Sequence, residues 1–248
     1  MARTLGVIGS GNIGAAVARI AVDAGLDVIL SNSRGPETLA DLAAQLGDRA
    51  RAATAAEAAQ AADLVLVSVP LAAFGRLPSE ALAGKTVLDT ANYYPQRDGS
   101  LAVLDDRELT ESELLQRHLP GARVVKAFNN ITVGPILNLP RPAGASDRSA
   151  LPVAGDDAAA KAEATALLDL LGFDAVDAGA LADSWRSEPN TPVYVTPYVG
   201  DIPRLDMAGF RDWIAARPAI PVSAKEIAEL VEGAERQNPA DTRFPFDV

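Results

Sequence analysis

The sequence predicts a doubly wound α/β fold with a mainly parallel sheet, followed by a proline-rich C-terminal extension that ends in a helix. Three observations carry this reading. Short apolar runs, of the kind buried on both faces of a parallel sheet, alternate with helically spaced apolar positions over residues 3–177. A glycine-rich turn joins the first run to the first helical segment. Eight of the chain's 17 prolines fall after residue 187, and proline neither donates to a ladder nor suits a helix interior.

Residues 3–9 read as a buried strand, after which Ile13, Val17 and Ile20 take helical spacing and Gly25 stands where a helix end favours a left-handed residue. Asp27–Ser31 is the second strand. Pro36 suits the first position of a helix over 37–46, which Gly47 stops, and Thr54 with Glu57 forms a capping box for an alanine-rich helix. The stretch 64–69 is a near-continuous apolar strand, and Thr86–Asp89 and 123–127 extend the series. Beyond an apolar segment at 131–139 and a loop come a strand at 151–154, a helix at 157–171 and a strand at 173–177, which complete the same sheet. In the extension, Ser223 and Glu226 cap a helix with Ile227, Leu230, Val231 and Ala234 on one face. That stripe either docks on its own domain or forms a subunit contact. The expected division is a nucleotide-binding domain at 1–187 and an extension at 188–248 that wraps, dimerises or walls a substrate pocket.

Composition narrows the chemistry. The chain has 248 residues, 48% hydrophobic and 22% charged, a globular balance. It has no cysteine and one histidine, which removes disulfides, thiolate nucleophiles and iron–sulfur ligation and leaves no basis for expecting a metal. A formal charge of −11 repels phosphate backbones, so no nucleic-acid partner is expected. No run approaches the ~20 apolar residues of a bilayer span, and Met1–Leu5 lacks the pattern of a signal peptide. A cytoplasmic homodimer acting on a small molecule is the expectation.

Gly9, Ser10, Gly11, Asn12, Ile13 and Gly14 fit G-x-G-x-x-G between a strand and a helix, the setting that makes this motif a dinucleotide site on a Rossmann-type sheet. At the end of the second strand, where NAD-binding chains place an acidic residue, stand Asn32, Ser33 and Arg34. With no carboxylate to repel a 2′-phosphate and an arginine to pair with one, NADP is favoured over NAD. Pro70, Asn92, Asn129 and Asn130 lie at later strand ends and line the expected nicotinamide position; turn chemistry is the plainer role of the asparagines. His118 sits in a surface helix as a solvated residue. Lys126 is either catalytic or paired with a carboxylate. Trp185, Tyr194 and Tyr198 are placed to stack on a ring or to pack in the core.

At residues 9–14, 32–34 and Val124-Val125-Lys126-Ala127-Phe128-Asn129-Asn130, the sequence resembles the coenzyme F420-dependent NADP oxidoreductases, and also the cytoplasmic reductase domain of the six-transmembrane ferric reductases. Pro152 to Asp156 and Asp177 to Ala182 match too, so the resemblance spans about residues 3 to 187. It implies that Ser10 to Ile13 hold the pyrophosphate, that Ser33 and Arg34 hold the 2′-phosphate, and that Pro70, Asn92 and Ala127 to Asn129 surround the nicotinamide. It further implies hydride transfer between NADPH and coenzyme F420 or another flavin-like ring. Residues from Trp185 onward extend beyond the small deazaflavin enzymes, so the second-substrate pocket is expected to differ.

Carbonyl reduction needs a positioned acid, and none is legible near the strand ends. A ring that accepts hydride without one is therefore favoured, with Asn129, Asn130 and Lys126 as the candidates for direct participation. The coenzyme's anionic tail would need local basic residues such as Arg186. Two alternatives stay open: an NADPH-dependent reductase of a small carbonyl or imine, and a non-catalytic NADPH-binding regulator.

Overall fold

The computed structural model describes residues 4–203, 205–241 and 246–247. Arg3, the expected first residue of the first strand, lies outside them. Eight strands make one sheet: β1 (Thr4–Ile8), β2 (Asp27–Ser31), β3 (Ala50–Ala52), β4 (Leu64–Val67), β5 (Thr86–Asp89), β6 (Arg123–Lys126), β7 (Ala150–Gly155) and β8 (Asp174–Asp177). Their order is β3-β2-β1-β4-β5-β6-β7-β8. Every pairing is parallel except β6 with β7. The chain winds outward from β1 through β2 to β3, then returns to β4 and winds the other way, so a crevice opens beyond the carboxyl ends of β1 and β4.

The helices are α1 (Asn12–Asp23), α2 (Ala40–Leu46), α3 (Ala55–Ala61), α4 (Ser79–Leu82), α5 (Pro95–Asp98), α6 (Ala102–Asp105), α7 (Glu111–His118), α8 (Val133–Asn138), α9 (Ala158–Leu170), α10 (Thr196–Val199), α11 (Met207–Ala216) and α12 (Ala224–Glu232). One face of the sheet is covered by α1, α8, α9 and α12, through Val17, Ile20, Ile136, Leu167 and Ile227. The other is covered by α3, α4 and α7, through Ala59, Leu82 and Leu115. Leu64 to Val67 of β4 are buried on both faces, which is why that strand reads as unbroken apolar sequence. Capping boxes start α3 and α12 where expected; a third, Thr110 with Glu113, starts α7. Each is worth about 1 kcal/mol.

The structure departs from the sequence reading in several places, among them the extension, which does not end in a helix, since a 3₁₀ turn at Pro239–Asp241 and a short strand at Phe246–Asp247 follow α12. The helix expected over 37–46 is split into a 3₁₀ turn at Pro36–Leu39 and α2. The strand expected over 64–69 ends at Val67, and Val69 and Pro70 turn away over the crevice. β3, the sequence Ala-Arg-Ala, carries no apolar alternation to announce it and exists through its pairing with β2 alone.

The extension folds back on the sheet. Val222 N donates to Ser149 Oγ at 3.2 Å and Ala150 N donates to the Val222 carbonyl at 2.9 Å. These bonds seat α12 over β7 and β8, with Ile227 and Val231 buried. The apolar stripe is thus consumed within the chain, which removes the sequence-based reason for expecting a homodimer contact on it.

Candidate active site

The glycine turn closes tightly. Gly9 has φ +99°, and a Cβ there would lie 2.2 Å from the Ser68 carbonyl, so only glycine fits the turn. A Cβ on Gly14 would lie 2.1 Å from the Gly9 carbonyl, which is the close packing of α1 on β1. At Gly11, by contrast, a Cβ would enter open space, leaving backbone approachable from the crevice. Gly9 N and Ser10 N, with Ser10 Oγ, bind the Ser31 carbonyl at 3.0 to 3.1 Å. The start of α1 has neither a side-chain cap nor an acidic residue in its first turn. Its amides and positive dipole end therefore face the crevice uncovered, the arrangement that suits a pyrophosphate.

From this turn a groove of about 470 Å³ runs toward the end of β2, lined by Gly9 to Gly11, Asn32, Ser33, Arg34, Pro70 and Arg76 among others. Asn32 shapes the rim: its Oδ1 accepts from Arg34 N at 2.9 Å and its Nδ2 donates to Thr38 Oγ1 at 2.9 Å. Ser33 and Arg34 project into solvent. Opposite them stands Arg76, from the turn after β4, which the sequence reading did not single out because a lone basic residue past a strand carries no local signal. Among the described residues no Asp or Glu lines the groove, and neither arginine has an ion-pair partner. Two uncommitted cations and a serine make a ready site for a dianion.

A second cleft, of about 620 Å³, continues past the glycine turn and is lined by Gly11, Asn12, Ile13, Pro70, Asn92, Phe128, Asn129, Tyr94, Arg97, Tyr194, Val195 and Ile214 among others. Asn92 and Asn129 are tied together: Asn92 Nδ2 donates to the Asn129 carbonyl at 2.8 Å and Asn129 Nδ2 donates to Asn92 Oδ1 at 3.1 Å. Ser187 completes the set, its Oγ donating to Asn129 Oδ1 at 3.1 Å. Two residues in this wall hold left-handed backbone, Phe128 at φ +60° and Val195 at φ +59°. For bulky or β-branched residues this costs about 1–3 kcal/mol and persists only where surroundings enforce it.

Other sequence-predicted residues stand behind the wall. Ala127 is fully buried beneath Phe128, and Asn130 is fully buried with its Nδ2 donating to the Val193 carbonyl at 3.0 Å and to Tyr198 Oη at 3.2 Å. Tyr198 belongs to the core, donating to the Ala150 carbonyl at 2.8 Å. Trp185 lines a separate small cavity. Arg186 lies over the Trp185 ring and donates to the Val231 carbonyl at 3.2 Å; Arg97, stacked at 5.0 Å on Tyr94, is the cation the structure brings to the cleft instead. His118 is exposed on α7.

Lys126 is 1% exposed. Its Nζ donates to Glu111 Oε1 at 2.5 Å and to the Ala91 carbonyl at 2.6 Å, with Asp89 Oδ2 at 3.7 Å. Glu111 Oε2 accepts from Tyr93 N at 2.6 Å, and Asp89 accepts from Ala91 N at 2.9 Å and Ser112 Oγ at 2.7 Å. These buried charges clamp the loop after β5, so Asn92 and Tyr94 are presented at a fixed height. Burial pushes the Glu111 carboxyl up to about 8, with Glu188 adding to the shift and Lys126 opposing it. Burial also raises Glu188. Burial works against the Lys126 charge, but Glu111, Asp89 and Glu188 outweigh it and hold the ammonium above its ordinary value.

Sequence reading placed Tyr194 only as a residue that stacks on a ring or packs in the core, and the structure gives it a polar partner. Tyr94, after β5, and Tyr194, in the extension, meet hydroxyl to hydroxyl in the cleft wall. Burial, then the charge of Tyr194 and the hydrogen bond with it, holds the Tyr94 phenol well above its ordinary value. Burial pushes Tyr194 up to about 12, with its hydrogen bond to Tyr94 pulling the other way.

A strand–glycine turn–helix at a topological switch point, with a long groove on either side, defines a dinucleotide-binding protein of the Rossmann class. The comparisons make the class particular. The profile of the family NADP oxidoreductase, coenzyme F420-dependent, matches residues 4–93. The F420-dependent NADP reductase of Methanothermobacter marburgensis is 32% identical over 171 residues, 66% of this chain and 74% of that one. Protein YjhV of Escherichia coli K12 is 45% identical over a shorter stretch, 21% of this chain and 39% of its own length. Among solved structures, hypothetical protein SMa0349 of Sinorhizobium meliloti superposes with TM-score 0.68 at 29% identity, covering 78% of this chain and 93% of that one. A candidate F420-dependent NADP-reductase of Arthrobacter sp. FB24 superposes with TM-score 0.60 at 30% identity, covering 73% and 86%. The chain belongs to the coenzyme F420-dependent NADP oxidoreductase family and is an NADP-dependent oxidoreductase. Among the described residues no helix is long and apolar enough to cross a membrane.

Proposed function

We propose that the protein transfers hydride between NADP(H) and a deazaflavin of the coenzyme F420 type, held in the cleft beside the nicotinamide. The observation that carries this is the 620 Å³ cleft itself, continuous with the glycine turn and bounded by Pro70, Phe128, Tyr94 and Val195; it leaves room for a second ring against the first. Family membership supports the same acceptor.

NADPH, when bound, supplies the hydride. On this reading Ser10 to Ile13 hold the pyrophosphate, through the backbone amides of Gly11 to Ile13 since the Ser10 amide is bound to the Ser31 carbonyl. Ser33 and Arg34 hold the 2′-phosphate with Arg76 facing them, and Asn92 and Asn129 flank the nicotinamide. The fit rests on the open space at Gly11, the uncapped start of α1 and the acid-free groove. Residues 188–248 act as a pocket wall, since they contribute Tyr194, Val195 and Ile214 to the cleft. Holding two rings in contact provides effective molarity, worth up to about 7–11 kcal/mol in well-oriented systems. Cytoplasmic location accords with this reading.

The tyrosine pair favours a second reading, reduction of a small imine or carbonyl, because it supplies the hydrogen-bond donor such chemistry needs. Anaerobic mixing of the protein with NADPH and either coenzyme F420, FMN or 1-pyrroline decides between them. Bleaching of the F420 band supports the deazaflavin, NADPH loss with 1-pyrroline alone supports the second reading, and tight NADPH binding without turnover in any arm sinks both.

A further inference from the structure

We propose that Tyr194 donates the proton that accompanies hydride transfer, and that Tyr94 holds and polarises it. This rests on the reading that an acceptor occupies the cleft beside the nicotinamide. The two side chains are 100 residues apart in sequence, yet their hydroxyls meet in the same wall as Asn92, Phe128 and Asn129. Two phenols joined by one hydrogen bond carry two hydrogens, and only one of them lies between the oxygens. The phenol that receives the bond becomes the stronger donor to whatever lies beyond, because consecutive hydrogen bonds polarise each other.

Either hydroxyl can donate across the pair. Tyr94 is buried at 6% exposure while Tyr194 is the more accessible of the two, so Tyr194 is the member that meets the cleft. With Tyr94 donating to it, the Tyr194 phenolate is the one stabilised. Both rings are fixed from outside the pair. Tyr94 follows the loop that Lys126, Glu111 and Asp89 clamp, and Asp98 Oδ2 accepts from its amide at 3.1 Å. Tyr194 precedes left-handed Val195, whose amide donates to the Asn130 carbonyl at 2.9 Å. Strain of this kind beside a reacting position marks a side chain whose aim is enforced. The other polar groups of the wall are poorer acids. Asn92 and Asn129 are bonded to each other, Ser68, Thr90 and Thr132 are aliphatic alcohols, and the Arg97 guanidinium does not release its proton.

In the step, the acceptor gains a C–H bond from the arriving hydride, and the displaced electron pair moves to the conjugated nitrogen or oxygen. The Tyr194 O–H bond breaks and its proton goes to that atom. NADPH is the reductant and becomes NADP⁺. The Tyr194 phenolate, held by the Tyr94 hydrogen bond, regains a proton from water as products leave.

The test follows NADPH oxidation by wild-type protein in two arms, coenzyme F420 and 1-pyrroline, with NADPH affinity measured separately by its fluorescence. In the arm that turns over, Tyr194→Phe is expected to slow the reaction by about 100-fold or more at unchanged NADPH affinity. Tyr194→3-fluorotyrosine, a stronger acid of nearly the same shape, should equal or exceed the wild-type rate and change the solvent deuterium isotope effect. Tyr94→Phe should slow the reaction less, with its own change in that isotope effect, which a merely structural role would not produce. Wild-type rates in Tyr194→Phe, or an equal loss of NADPH affinity and turnover, would overturn the assignment alone. Wild-type protein that turns over in neither arm overturns the assignment together with the function it rests on.

Discussion

The groove read as the adenosine half takes its glycine turn and β2 rim from residues 9–34, one strand–helix–strand unit, with Pro70 and Arg76 added across it. The second cleft draws Tyr94, Asn129, Tyr194 and Ile214 from four segments spread over 120 residues of chain, from 94 to 214. The first is made by local backbone geometry: a positive-φ glycine, a close Cα approach and a bare helix end. The second is made by buried charge and strain, with Lys126 clamping one loop and left-handed Val195 aiming another. A dinucleotide motif can therefore be inherited as a unit, whereas the second cleft must be assembled and can be rebuilt by an extension without disturbing the motif.

The sharpest way to break the first half is Gly14→Val. With Gly9 O only 2.1 Å from the new Cβ, α1 must leave β1, and a loss above about 4 kcal/mol is expected in denaturant unfolding. Unchanged stability would show that the glycine is not a packing contact. For the second half, Lys126→Met leaves Asp89 without its cation and Glu111 without its hydrogen-bond donor, at an expected cost of about 3–5 kcal/mol in the same assay. If that variant also keeps full acceptor turnover, the buried charges do not position the loop.

Glu111 sharpens the comparison by pH. Its folded-state value, raised to about 8, lies above the ordinary carboxyl value of 4.5. The folded form therefore keeps a proton the unfolded chain has lost, so the contribution is complete below about pH 4.5 and declines as pH rises through 8. Glu111→Gln should flatten the stability profile in that window by roughly 1 kcal/mol per pH unit; an identical slope in both proteins would refute the shift.

Smaller still is Arg34→Ala. Loss of a charge-assisted bond worth about 1.5–3 kcal/mol should weaken NADPH binding while leaving NADH nearly untouched, as calorimetry would read directly. Arg76→Ala should do the same to a lesser extent, about 1 kcal/mol. Equal losses for both nucleotides would place either arginine on the adenine or the pyrophosphate.

The strands, the parallel series, the capping boxes of α3 and α12 and the glycine turn were legible because each depends on residues within a turn or two of one another. β3 was not, since three small and polar residues become a strand only beside β2. Tyr94 was missed, and Tyr194 was read only as a stacking or packing residue, for a related reason: the two gain their meaning from each other, and nothing in a sequence places position 94 against position 194. Lys126 showed the reverse problem, a chemically suggestive residue whose burial against Glu111 spends its charge on the loop behind the wall.

By itself the sequence determined the sheet's winding, the place of the dinucleotide motif and the preference for a 2′-phosphate, because periodicity, glycine geometry and the absence of a carboxylate act locally. Only the tertiary structure decided which side chains line the second cleft. Burial, ion pairing and strain arise between segments that the fold alone brings together, and they turned Asn130, Lys126 and Tyr198 inward while carrying Tyr94, Tyr194 and Arg97 to the cleft.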